Sequence, residues 1–172
     1  MMQENLDRLG TEFKEAMAHL CAPVTVITAM DGDRPHGTTV SAIMSLSMEP
    51  HLLAVALANT SECLGLIEGT KRFGVNVLAS EQTDIAFRLA GKGAAKFDGV
   101  EWVRRDGLPH VSGASIWIAC DVAEIVSGGD HRILLGRVRA VETSTDQDPL
   151  TYHRRGFGTH VPHSALQTAG AR

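Results

Sequence analysis

The chain has 172 residues, 44% of them hydrophobic and 21% charged, with a formal net charge of −4. That length makes one ordinary domain with enough surface to bury its own core. Basic pairs occur only at Lys71-Arg72, Arg104-Arg105 and Arg154-Arg155, which argues against a nucleic-acid partner, because phosphate backbones call for a basic stripe.

Leu6, Leu9, Phe13, Met17 and Leu20 fall at helical spacing and predict an amphipathic helix near residues 6–20, ended by Pro23. Val24 to Thr28 is a β-branched run and reads as a strand. Asp31-Gly32 is a turn, after which the chain returns through His36 to Met44. Leu52 to Leu57 is a third strand, buried on both faces. Asn59-Thr60-Ser61 then leads into a short helix containing Leu64 and Ile67, with Ser61 as its N-cap. Phe73 to Leu78 is a strand and Glu81 to Ala90 a helix, broken by Gly91-Lys92-Gly93. Residues 94–112 read as an irregular connection. Two long strands, near Ser115–Val126 and His131–Glu142, join through Gly128-Gly129 and close the fold. The small, polar tail from Val161 is expected to be poorly ordered, leaving one domain over residues 1–160 and a tail over 161–172. Strands that neighbour one another in sequence, with few helices, predict a mainly β fold, an antiparallel barrel rather than a doubly wound sheet.

Cys21, Cys63 and Cys120 are odd in number and widely spaced, so they read as reduced thiols rather than a disulfide framework. No signal-peptide core opens the chain, and no apolar run nears the roughly 20 residues of a membrane span. The expectation is a soluble cytoplasmic protein without membrane contact. Several common fingerprints are absent. Gly65 to Lys71 has the wrong spacing for a phosphate-binding P-loop, and neither G-x-G-x-x-G nor G-x-S-x-G occurs. His131, His153, His160 and His163 lack the spacing of metal ligands, so no metal site is expected.

Four stretches stand out chemically. Thr38 to Ser47 carries small hydroxyls at Thr39, Ser41, Ser45 and Ser47, suited to a polar chain or a heterocycle edge; an edge strand rich in Ser and Thr reads the same way. Asn59-Thr60-Ser61 opens a helix, and a helix start offers unpaired N–H groups to a phosphate as well as a simple cap. Gly129-Asp130-His131 is a hairpin turn followed by a histidine placed to donate a hydrogen bond. Pro149 to Gly158 mixes aromatic and cationic groups that can stack on rings and engage phosphates, or end a strand in a solvated arginine pair.

Together these stretches resemble the short-chain flavin reductases of two-component monooxygenases, the flavin-reductase-like family with an FMN-binding split barrel. The matching pieces are F-x-x-A-M at Phe13, V-T-V-I-T at 24–28, G-T-T-V-S-A-x-x-S-L-S-x-E-P at 37–50 and F-x-V-N-V-L at 73–78. They continue with K-F at 96–97, G-D-H at 129–131 and Y-H-R-R-G-F at 152–157, so the likeness spans nearly all of residues 10–158. It implies a Greek-key split β-barrel and a homodimer with flavin sites at or near the subunit interface. It also implies an enzyme that reduces free FAD or FMN with NADH, or NADPH, and hands reduced flavin to a separate monooxygenase. On this likeness Thr39, Val40, Ser41, Ala42, Ser45 and Ser47 line the flavin, and Asn59, Thr60 and Ser61 hold its phosphate. Lys96 and Phe97 lie beside it, while His131, as the catalytic residue, and Tyr152, His153, Arg154, Arg155 and Phe157 receive the nicotinamide cofactor. Arg154 and Arg155 suit a 2′-phosphate or a pyrophosphate equally. The competing reading is a split-barrel protein that carries flavin or haem without turnover.

Overall fold

The computed structural model describes residues 2–163; most of the tail expected from Val161 onward lies outside the described residues. In chain order the elements are α1 (Met2–Ala18), β1 (Ala22–Pro23), β2 (Thr25–Asp31), β3 (Arg34–Val40), β4 (Ile43–Met48) and β5 (His51–Ala58). Helix α2 (Glu62–Thr70), β6 (Arg72–Val77), α3 (Thr83–Ala90) and a 3-10 turn (Ala94–Phe97) follow. The chain ends with β7 (Trp102–Arg105), β8 (Leu108–Val111), β9 (Ile116–Gly128), β10 (His131–Thr143), β11 (Leu150–His153) and β12 (Gly156–Thr159). The mainly β expectation holds.

Seven strands form one antiparallel sheet in the order β3-β2-β6-β9-β10-β5-β4. Strands β3 and β4 are its two ends, yet only Ser41 and Ala42 separate them in sequence. Three Cα steps reach at most about 11 Å. The sheet must therefore roll until its edges nearly meet, at a seam wider than the ~4.8 Å of paired strands. This is a barrel left split. The single returning strand expected from His36 to Met44 is thus two strands. The break is fixed where Ile43 N–H turns back to the Ser41 carbonyl (3.1 Å) and Ala56 N–H reaches the Ala42 carbonyl (3.0 Å).

Two clusters fill the core. Under α2, Ile27, Leu57, Ile67, Phe73, Val75 and Leu134 are buried, and Gly136 lets the Phe73 ring approach β10. Between β2 and α3, Val26, Leu78, Leu89, Phe97, Val111 and Leu150 form the second. Asn76, fully buried on β6, links this layer to the β7–β8 hairpin by accepting from Val111 N–H at 2.8 Å.

Other expectations shift locally. The first helix ends at Ala18 rather than near residue 20, and the third starts at Thr83 rather than Glu81. Residues 94–112 are not irregular. They hold the 3-10 turn and the β7–β8 hairpin, which turns on Asp106 and Gly107 with φ of 45° and 72°. The segment after Pro149 is a hairpin, β11–β12, whose turn residues Arg154 and Arg155 both take positive φ, 49° and 63°.

Candidate functional site

A cleft of about 470 Å³ opens at the Ser41–Ala42 end of the seam, lined from β3 and β5 rather than from β4, and is within the range of small-molecule sites. Thr38, Thr39, Val40, Ser41 and Ala42 form one side of it; Ala56, Leu57 and Ala58 of β5, Ser61 and His131 also line it. The Ala86, Phe87 and Ala90 face of α3 and the aromatic rings of Tyr152 and Phe157 complete the lining. Ser41, Ser61 and His131 thus share one cavity although 90 residues separate the first from the last in sequence (131 − 41).

Local hydrogen bonds explain the convergence. Asn59 N–H donates to the Asp130 carbonyl (2.9 Å) and Asn59 Nδ2 to the Gly129 carbonyl (3.3 Å), which ties the entry of α2 to the β9–β10 turn. His131 pairs with Ala58 in the sheet, so it stands beside that entry. Its Nδ1 lies 2.7 Å from Asp130 Oδ1. An ionised carboxylate only accepts, so Nδ1 carries the proton and Nε2 is left for a ligand. The histidine in turn holds the Asp130 carboxyl below its ordinary pKa. Thr39 Oγ1 donates to the Ala86 carbonyl at 2.9 Å, fixing α3 against the edge strand. Ser61 makes no side-chain capping bond to α2, so its hydroxyl is not spent on the helix.

The remaining expected residues fall elsewhere. Ser45 and Ser47 line a separate groove of about 360 Å³ with Met44, Met48 and Val141, beyond the point where the strand breaks. Asn59 and Thr60 are exposed and do not line the cleft; Asn59 acts on it through its bonds to the β9–β10 turn. Phe97 is buried against β3, its ring where a Cβ on Gly37 would come within 2.9 Å. Lys96 Nζ donates to the Gly91 carbonyl (3.4 Å); burial lowers its pKa, opposed by Cys63 and Glu62 at the head of α2. His153, Arg154 and Arg155 turn to α1 instead. Arg154 N–H donates to the Ala18 carbonyl (2.6 Å), Arg155 pairs with Glu15 (2.6 Å), and the His153 ring meets that of His19 edge-on. Arg155 holds the Glu15 carboxyl below its ordinary value.

Phe87 and the alanines of α3 and β5 were not among the expected site residues. An aromatic ring set off the Ile85–Leu89 face of an amphipathic helix was the available signal. Small residues at the seam carry no signal of their own.

The cleft has apolar walls, hydroxyls at one edge, a helix start and one histidine, which suits a flat heterocycle bearing a polar chain. The two buried thiols stand outside it: burial pushes Cys63 up to about 12, burial together with Asp121 does the same for Cys120, and neither lines the cleft.

The family pattern described as Flavin reductase like domain matches residues 17–160. The chain belongs to that family. It is a flavin-reductase-like oxidoreductase on a split-barrel fold. The NADH:riboflavin 5'-phosphate oxidoreductase of Streptomyces pristinaespiralis is 36% identical over 154 residues, covering 87% of this chain and 88% of that protein. The reductase component of Thermus thermophilus 4-hydroxyphenylacetate 3-monooxygenase is 36% identical over 148 residues, covering 84% and 93%. The NADH:FAD oxidoreductase of Streptomyces globisporus, solved with NAD and FAD fragments, superposes with a TM-score of 0.84 at 25% identity, covering 90% and 94%.

Proposed function

We propose that this flavin reductase uses NADH to reduce free flavin, which then leaves for a separate monooxygenase. The observation that carries the reading is the single seam cleft shared by Ser41, Ser61, His131, Tyr152 and Phe157. When both cofactors are bound, the dihydronicotinamide supplies a hydride that the flavin accepts, so the protein's task is alignment and electrostatics. The Val40–Ala42 step offers backbone groups and the Ser41 hydroxyl to the edge of a flat ring. Ser61 and the first turn of α2 face a phosphate, with Lys96 nearby as a cation. Tyr152 and Phe157 supply a stacking wall. His131 is the catalytic residue in this reading, its ring held by Asp130 and its Nε2 available to hydrogen-bond the reacting pair.

A homodimer suits the exposed apolar surface: Leu6, Leu9, Phe13 and Met17 on α1, and Met44 and Met48 beside the second groove, are all exposed in one chain. Among the described residues no helix is long and apolar enough to cross a membrane. A cytoplasmic setting accords with three unpaired thiols. The reductase unit is assigned to residues 1–160.

Stopped-flow reduction and flavin titration of His131→Ala test the reading. The loss of one hydrogen bond should slow reduction by up to about tenfold while the flavin dissociation constant stays within about twofold. Equal loss in both measurements would remove His131 from the reaction, and parent protein that oxidises no NADH with added flavin would leave only a carrier.

A further inference from the structure

We propose that Phe87 is a binding residue for the reducing dinucleotide, stacking its purine ring at the rim of the seam cleft. The inference rests on the flavin reductase reading of that cleft.

Phe87 stands on α3 between Ala86 and Leu89, both buried, yet its own residue is 67% exposed. It contributes little to the core. It is not loose either: its ring packs edge-on against Phe157 with centroids 5.0 Å apart and planes at 89°, and Phe157 meets Tyr152 at 5.3 Å and 60°. Edge-to-face packing fixes the ring, and the exposure of Phe87 leaves much of its surface open to a ligand. All three rings line the cleft, and Tyr152, at 37% exposed, is more covered than Phe87. Phe87 is therefore the outer step of an aromatic wall whose inner steps adjoin the reacting region.

A dinucleotide brings two flat heterocycles. Its pyridine must reach the flavin inside the cleft, so its purine is left at the margin, where an uncharged ring gains most from an aromatic face. The cations expected to grip the dinucleotide do not line the cleft: Arg155 is held by Glu15, and the backbone of Arg154 is tied to Ala18. Stacking on Phe87 takes the place of that charge contact as the anchor for the distal half of the ligand.

The test measures half-saturation of flavin reduction by NADH and by dihydronicotinamide mononucleotide, which lacks the purine, in parent protein, Phe87→Ala and Phe87→Trp. Flavin affinity and solution mass are measured alongside. With NADH, Phe87→Ala should raise half-saturation about 5- to 30-fold, as base–aromatic stacking predicts, and Phe87→Trp should restore it. With the mononucleotide, parent and variant should agree within about twofold. An equal rise for both donors would overturn the proposal, as would weakened flavin binding, which would assign the ring to flavin. A change in solution mass would assign it to a second copy of the chain. Parent protein that fails to reduce flavin at all would refute the underlying reading itself, and is told apart from these outcomes by needing no variant.

Discussion

Asn76→Ala should weaken the joint between the barrel and the β7–β8 hairpin. Asn76 is fully buried, and its Oδ1 accepts from Val111 N–H at 2.8 Å. Its Nδ2 lies 3.3 Å from the Val26 carbonyl, 3.3 Å from Thr28 Oγ1 and 3.4 Å from the Pro109 carbonyl. The donor contacts are long, and Pro109 keeps a shorter bond from Thr28 Oγ1 at 2.9 Å, so truncation leaves that carbonyl satisfied. Val111 N–H has no such reserve, since Val111 is itself fully buried. An orphaned buried donor costs about 1–3 kcal/mol, more than the roughly 0.5–1.5 kcal/mol net worth of an ordinary hydrogen bond. For a chain of this size that corresponds to a fall in melting temperature of roughly 2–12 °C at 2–4 °C per kcal/mol. Thr28→Val removes the bond to the Pro109 carbonyl and the long contact from Asn76 Nδ2, but Pro109 keeps Asn76 as a donor and Asn76 keeps two carbonyls, so it should cost less. Calorimetric or circular-dichroism melting of both variants checks the ranking. A loss under about 1 kcal/mol for Asn76→Ala, or a greater loss for Thr28→Val, would refute the assignment of Asn76 as the joint between the barrel and the β7–β8 hairpin.

Gly136→Ala should destabilise by about 1–3 kcal/mol through overpacking. The added Cβ would come within 2.5 Å of Phe73 Cζ and 3.1 Å of Cys120 Cβ, which chemical denaturation would report. Stability should also fall as pH drops through the ordinary histidine value of about 6.5. Burial, aided by Arg105, lowers the His110 pKa in the folded state. The unfolded chain therefore takes up the proton first, and acid favours it. Melting temperatures across that range should flatten in His110→Phe, and an unchanged slope would point to other groups.

The strands that could be read from sequence are those whose β-branched or apolar runs are self-sufficient: β2, β5, β6, β9 and β10. Strand β11 is legible only as the alternative of a strand ending in the arginine pair and β12 not at all, because each has four residues and β11 finds its partner β1 far back in the chain. The break at Ser41 and Ala42 was invisible for a different reason. Hydroxyl and apolar residues alternate on both sides of it, so local pattern continues while topology changes. Site residues followed the same division. Ser41, Ser61 and His131 could be picked out because each sits in a chemically odd stretch at an element boundary. The arginine pair misled because the ion-pair partner that draws Arg155 away, Glu15, lies 140 residues distant. Phe87 escaped because the helix pattern was read for its buried face.

The seam also accounts for the kind of chemistry the protein performs. A closed barrel of this size fills its interior with side chains and offers ligands only its mouth. Leaving β3 and β4 unpaired exposes backbone along an edge strand, normally a liability that invites aggregation. Here the edge is covered by α3, held through Thr39 and Ala86, and by the β11–β12 hairpin, anchored through the Arg155–Glu15 pair to α1. The space between edge and cover is the cleft. Its walls mix alanines and aromatic rings with the hydroxyls of Thr39, Ser41 and Ser61 and the ring of His131. Aromatic walls with a few hydrogen-bonding groups suit the stacking and alignment of two flat rings, which is what hydride transfer between bound cofactors asks of the protein.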